Sequence, residues 1–363
     1  MKLPKFDDLI GEQLDVYKHD PDSNLFAVGP PGSGKTTLMV VRAKLLVAAG
    51  KNVLAITKNV MLAALAEQLS EQKFSVSTMN SFVASDYWRI FGTLPPSWSP
   101  YNYIWEAITS SYAAAGVVPS IDHVLIDEAQ NLPPGFFSWI LRFKARTVTI
   151  FADEDQSTDS QRSRISDICS AGLPHPIRLT TNHRNTDEIA LVAEHFHRSA
   201  VLPPGVAIRG KSGEKPQLVT LTTWNDIAER IATRYLNRGT SIGLIVWRKT
   251  EAEEILEVLK TKLPKNVRVE SYTSDTPKHI VPTIRTFEPG ITVLTGESVI
   301  GLEFDEVFLQ DLERSLPCQT TTDYRRMYML CARARDNLFL VNGPLCLDAT
   351  QIAALPDITL LER

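Results

Sequence analysis

Cysteine is scarce in this chain: four in 363 residues, at Cys169, Cys318, Cys331 and Cys346, with no CxxC pair. That scatter excludes the usual metal-cluster and disulfide-framework patterns and makes a reducing, cytoplasmic setting the expectation. Long apolar runs are lacking too. None reaches the ~18 residues that cross a bilayer, and the opening MKLPKFDDLIGEQLDVY has no secretory apolar core, so no membrane partner is expected. Neither sign of charge is in excess, since 38 Lys+Arg against 42 Asp+Glu leave −4. Such a total neither requires nor excludes nucleic acid, because a local basic groove can sit in an acidic chain. Internal repeats and low-complexity tracts are absent. What is present is ordinary globular composition, 44% hydrophobic and 22% charged, at a length that suits two domains.

Apolar runs alternate with helical patterns almost throughout, which reads as βα units and an α/β fold with parallel sheets. Leu25–Val28, Val53–Ile56, Val124–Ile126 and Val148–Phe151 are short buried strands, each entering a polar turn of the kind where open α/β sheets bind ligands. Helices are expected over Thr36–Ala49 and Val60–Leu69. A second set of strands is expected at Gln217–Leu221, Ile242–Val246, Val267–Ser271, Ile291–Leu294, Glu306–Leu309 and Asn337–Val341, with helices at Ala252–Leu263 and Asp323–Arg333. Gly and Pro break both patterns in AGLPHP, Ala171 to Pro176, so domains of 1–172 and 173–363 are expected. A Trp-, Tyr- and Pro-rich stretch of about 85–120 reads as a small helical insertion in the first. Its Tyr87, Trp88, Trp98, Tyr101, Tyr103 and Trp105 are read as a small core or a partner surface ahead of a base-stacking platform, because only Arg89 interleaves a positive charge.

The chemistry starts at GPPGSGKTT, which fits GxxxxGK[ST] between a strand and a helix. Gly29, Pro30, Pro31, Gly32, Ser33 and Gly34 form a loop whose backbone N–H groups can cradle phosphates at a helix N-terminus. Lys35 offers charge to the β/γ-phosphates of ATP, the Thr36 hydroxyl suits Mg²⁺, and Thr37 follows. VLIDEAQ supplies the other half: a buried strand delivers Asp127, a metal ligand, and Glu128, which can polarise an attacking water. Phosphoryl transfer also calls for a further cation, for which Arg184 in TTNHRNTDEI and Arg333 in MYMLCARARDNL are candidates.

In this order the motifs resemble those of UvrD/Rep-type superfamily 1 DNA helicases over nearly the whole chain. Gln13 stands 16 residues before Gly29, as the adenine-reading glutamine does in that family. FADEDQS looks like the family's third motif, with Gln156 coupling γ-phosphate to DNA. LTTNHRNT carries one arginine finger at Arg184, VLTGESVIGLEFDEVFL places Glu303 on the ribose, and YMLCARAR carries the second finger at Arg333. The resemblance implies two tandem RecA-like P-loop domains with the ATP site in the interdomain cleft and fingers supplied by the C-terminal one. It further implies an ATPase that moves along, or unwinds, nucleic acid with an accessible single strand, DNA being expected.

The departures lie mainly on the strand-facing side. His183 replaces the tyrosine that stacks on adenine, and Ile300 replaces a lysine near phosphate. Aromatic residues usual in ITKNVMLA and after FADEDQS are missing, and Glu297 replaces a histidine. STMNSFV keeps the motif that touches the strand, with Asn80, Ser81 and Phe82, and Lys58, Arg162 and Arg164 are further candidates for phosphate contact. Large insertions are absent. A second reading therefore stays open: a helicase-like ATPase switch that regulates a protein partner, such as a nuclease, in DNA repair or phage defence. A P-loop metabolic kinase fits poorly, since it leaves the ordered later motifs unexplained.

Overall fold

The computed structural model describes residues 9, 11–58, 60–70, 73–153, 163–198, 205–211, 214–286, 288–310 and 312–363. Gln156 and Arg162, and most of the FADEDQS motif, lie outside the described residues. Contacts group the chain into two compact units, residues 1–30 with 34–180 and residues 31–33 with 181–363.

The first unit contains α1 (Gly11–Lys18), β1 (Leu25–Val28), α2 (Lys35–Ala48), β2 (Val53–Thr57), α3 (Val60–Ser70), β3 (Ser75–Thr78) and α4 (Met79–Phe91). It continues with β4 (Ser97–Ser99), β5 (Asn102–Tyr103), α5 (Trp105–Ala114), β6 (Ile121–Ile126), α6 (Pro134–Phe143), β7 (Ala145–Ala152), α7 (Ile165–Ser170) and β8 (Ile177–Arg178). Among the described residues its main sheet is six-stranded, ordered β3-β2-β6-β7-β1-β8, and every pairing is parallel. Every residue of β1 and β2 is buried, which is why both read as unbroken apolar runs rather than alternating ones. Leu38, Met39, Ala43 and Leu46 of α2 join Leu25, Ala27, Val53, Ala55 and Leu125 in one core. Because β8 pairs with β1, the first unit extends beyond the Gly/Pro break to Thr180.

The insertion, expected to be helical, contains an antiparallel β4–β5 hairpin between α4 and α5. It turns through Pro100 and Tyr101, whose φ of 67° is unusual for a residue with a side chain. The aromatic cluster divides. Tyr87, Tyr103 and Tyr112 are buried, and Tyr87, Trp105 and Tyr112 pack with Phe91, Phe136 and Trp139. Gly135 is required here, since a Cβ on it would lie 2.4 Å from the Trp105 ring. Trp88, Trp98 and Tyr101 remain exposed. Asp86 ties this layer to the unit: it accepts from Lys144 Nζ at 2.8 Å, Tyr112 Oη at 2.6 Å and Arg89 Nη2 at 2.7 Å.

The second unit holds β9 (Thr181–Asn182), α8 (Asp187–Glu194), β10 (Val206–Ala207), β11 (Gln217–Thr220), α9 (Trp224–Arg238), β12 (Ser241–Val246), α10 (Lys249–Lys262) and β13 (Val269–Tyr272). After these come β14 (Gly290–Thr295), β15 (Phe304–Leu309), α11 (Leu312–Ser315), α12 (Thr321–Cys331), β16 (Ala334–Asn342) and α13 (Ala349–Ala353). Among the described residues its main sheet has the order β11-β16-β15-β12-β14-β13, again all parallel. Capping boxes start α9 at Thr223–Asp226 and α12 at Thr320–Asp323, each satisfying backbone donors that a helix start otherwise leaves unpaired. Ile227, Ile231, Ile255 and Leu259 of α9 and α10 cover Ile242, Leu244, Ile291 and Val293 of the sheet.

Candidate nucleotide site

The loop after β1 lies at the carboxyl end of the first sheet, where open α/β sheets take ligands. Gly32 and Gly34 have φ of 82° and 86°, a backbone that turns N–H groups inward and that glycine adopts without strain. Lys35, the first residue of α2, is buried. Its ammonium donates to the carbonyls of Gly29 at 2.6 Å and Pro30 at 2.9 Å, and to Asp153 Oδ2 at 3.3 Å. The charge is thus held at the loop mouth, where a phosphate would lie. Thr36 Oγ1 donates to Asp127 Oδ2 at 2.6 Å.

β6 and β7 bring in the acids. Asp127 and Glu128 are both buried. Burial, then the neighbouring charge of Glu128, pushes the Asp127 carboxyl well above the usual carboxylate range. Two adjacent buried acids with a hydroxyl at 2.6 Å are a donor set that a hard cation satisfies. Mg²⁺ fits it: Thr36 and Asp127 would hold the ion. No larger cluster competes for a metal, since among the described residues no group of three or more His, Cys, Asp or Glu could hold one. Glu128 adopts φ 53°, the left-handed region that costs a side-chain-bearing residue energy. Its carboxylate accepts from Gln130 Nε2 at 2.6 Å, and Gln130 Oε1 accepts from the Asp153 backbone N–H at 2.9 Å. Gln130 therefore fixes Glu128 against the end of β7.

Asp153 and Gln130 were missing from the residues singled out in the sequence. Asp153 reaches Lys35 because β7, not β6, is the neighbour of β1, a strand order that no local pattern encodes. Gln13, on α1, is buried, and its Nε2 lies 3.1 Å from where a Cβ on Gly34 would be. The expected adenine-side residue thus packs on the loop itself. Glu12 fixes the same helix from outside, accepting from the backbone N–H and hydroxyl of Thr180.

Within the second unit the remaining candidates converge. Asn182 Oδ1 accepts from the N–H groups of Arg184 and Asn185, and Asn185 Nδ2 donates to the carbonyls of Ala332 and Ala334. That turn sets Arg184 beside the segment carrying Arg333. Arg184 Nε pairs with Glu303 Oε2 at 2.5 Å. Arg333 is buried and donates to the carbonyls of Met329 and Leu302, at 3.0 and 3.2 Å. His183 is half-buried in the same turn. Among the strand-facing candidates, Lys58 donates to the Asn131 carbonyl at 3.3 Å, Thr78 caps α4 at Ser81, and Glu297 and Arg164 are exposed.

Residues 9–201 match the family described as AAA domain. No curated protein matches the chain. Among solved structures the chain is similar to "The structure of PRRSV helicase", with 14% identity and a TM-score of 0.44, over 91% of this chain and 54% of that one. This chain therefore spans about half the length of that protein. It is also similar to the C-terminal domain of a possible DNA helicase from Lactobacillus plantarum WCFS1, with 18% identity and a TM-score of 0.35, over 50% of this chain and 98% of that one. Parallel α/β architecture, a P-loop between β1 and α2, and a match covering more than half of the residues place the chain in the AAA domain family.

Proposed function

We propose that the chain hydrolyses ATP and couples hydrolysis to movement along, or unwinding at, single-stranded DNA. The observation that carries the ATPase reading is the convergence of Lys35, Thr36, Asp127, Glu128 and Asp153 at the carboxyl ends of β1, β6 and β7. Thr36 and Asp127 would hold Mg²⁺, which would supply charge neutralisation for the phosphates. Lys35 adds its charge at the loop mouth, and the loop's N–H groups hold the phosphate oxygens. Glu128, aimed by Gln130, accepts a proton from a water whose oxygen attacks the γ-phosphorus. The bond to the β-phosphate oxygen breaks, and ADP and inorganic phosphate leave. Gln13 reads the base, Glu303 the ribose, His183 stacks on adenine, and Arg184 and Arg333 stabilise transition-state charge; these roles rest on the motif resemblance, as do Gln156 in coupling and the reading of both parallel sheets as tandem RecA-like domains. ATP turnover measured without nucleic acid and with single-stranded DNA, duplex DNA or RNA tests this reading. Stimulation by single strands is expected, and turnover indifferent to saturating single strands sinks the motor.

One observation favours a second reading. Trp88, Leu94, Trp98 and Tyr101 of the insertion are 57–78% exposed, more large apolar surface than one small element needs. A switch ATPase that regulates a protein partner such as a nuclease would cover that surface. Turnover that rises with a co-purifying protein rather than with DNA distinguishes the two.

A further inference from the structure

Arg42 is wholly buried, yet the nucleotide reading gives it no task. It lies on α2, two turns beyond Lys35, or roughly 10 Å along the axis. Its Nη1 donates to the carbonyls of Val16 at 3.0 Å, Tyr17 at 3.2 Å and His19 at 2.9 Å, and its Nη2 to that of Asp20 at 3.4 Å. Val16 and Tyr17 belong to the last turn of α1, whose carbonyls have no partner within their own helix. A guanidinium there satisfies them and meets the negative end of the helix dipole. The remaining Nε donates to Thr149 Oγ1 at 3.0 Å, and the same hydroxyl meets His123 Nε2 at 2.8 Å. Arg42 thus joins three elements: α2, which grows out of the phosphate loop; β7, which is followed directly by Asp153; and α1, which carries Gln13.

Apolar packing alone would not fix α1 to this degree. The helix has eight residues; Val16 is its one wholly buried apolar side chain, Leu14 and Tyr17 pack only in part, and the Glu12–Thr180 bonds hold its outer, N-terminal end. Arg42 holds the other end, and Gln13 must stay against Gly34 to meet a base.

We infer that Arg42 is a positioning residue for nucleobase recognition, clamping α1 to the phosphate-loop helix so that Gln13 is presented to adenine. The inference rests on the nucleotide reading of the site. It places base discrimination under Arg42 and phosphate binding outside it.

Competition binding of ATP, GTP and inorganic tripolyphosphate to the full chain tests this. In Arg42→Met, which keeps the volume and removes the donors, the preference for ATP over GTP should fall roughly tenfold, the scale of one lost hydrogen bond to a base. Tripolyphosphate affinity should not change. Gln13→Ala should lose the same preference, and the double variant should lose no more than either alone. Should Arg42→Met fail to fold, Arg42→Lys decides, since one ammonium cannot bridge four carbonyls and Thr149 together; the preference should fall severalfold, and an unchanged preference overturns the clamp. Parallel losses of ATP and tripolyphosphate affinity in either Arg42 variant also overturn it, because Arg42 would then merely shape the loop. An unchanged preference in Gln13→Ala, or no preference in the wild type, overturns both the clamp and the base-reading role of Gln13. Loss in Gln13→Ala without loss in the folded Arg42 variant overturns the clamp alone.

Discussion

At Glu128, backbone and chemistry oppose each other. A left-handed φ of 53° and a buried acid neighbour both disfavour a glutamate there, so something other than stability keeps it. Glu128→Asn relieves the backbone and removes one of two adjacent acids; it should raise the unfolding free energy from urea titration by about 1 kcal/mol while abolishing turnover. Glu128→Gln keeps the shape, so ATP should still bind while hydrolysis falls at least ~100-fold in single-turnover assays. Lys35→Ala should remove measurable nucleotide affinity in an equilibrium titration. His123 gives a pH signature. Burial first, then Arg42 nearby, lowers its pKa from 6.5 to about 4. The unfolded chain therefore takes up a proton near pH 6.5 that the folded chain refuses until about pH 4, and stability should fall as pH drops through that window. The loss is of order 3 kcal/mol, and urea titrations at pH 7.5 and pH 5 should show a shallower loss in His123→Gln. At this scale the sequence exposes residues whose chemistry dictates a local pattern, such as Lys35, Thr36 and Asp127. It hides Asp153 and Arg42, whose partners lie on elements adjacent only in space, and the link from Gln130 to Asp153 at the end of β7.

Among the elements, length and burial decide what was legible. β1, β2, β6 and β7, and β12, β14, β15 and β16 of the second sheet, were readable because burial leaves largely unbroken apolar runs, whereas β11 and β13, with at most one buried residue each, were readable without such a run. β3, with sequence SVST and none of its residues buried, carries no such run and was missed; β8 and β9 are too short to show one. The β4–β5 hairpin was hidden by its exposed Ser-Trp-Ser strand, which shows no apolar face. The insertion depends instead on the Asp86 cluster. Burial works against ionising Asp86, but bonds from Lys144, Tyr112 and Arg89 hold its carboxyl below the usual range. Asp86→Ala would strand the buried Lys144 ammonium and should cost about 3 kcal/mol of unfolding free energy in urea titrations. A change near zero would mean that the insertion is not coupled to the unit that way.

For the whole molecule, the all-parallel sheets set the order in which it can be made. β1 pairs on one side with β7 and on the other with β8, so Val28 meets Ala152 and Arg178. Both partners of the strand feeding the phosphate loop are encoded more than a hundred residues downstream. At ~5–20 residues per second on the ribosome, the wait between Val28 and Arg178 lasts roughly 8–30 s. Until β7 is made the apolar LFAV segment has no strand to pair with, and until β8 is made it is paired on one side only, so a nascent chain carries an open strand edge. Ribosome-arrested chains of increasing length should gain nucleotide-dependent protease resistance only after Arg178 has left the exit tunnel. Arrest points short of that, and premature stops within the first unit, would yield a chain holding every residue of the phosphate loop and none of its function.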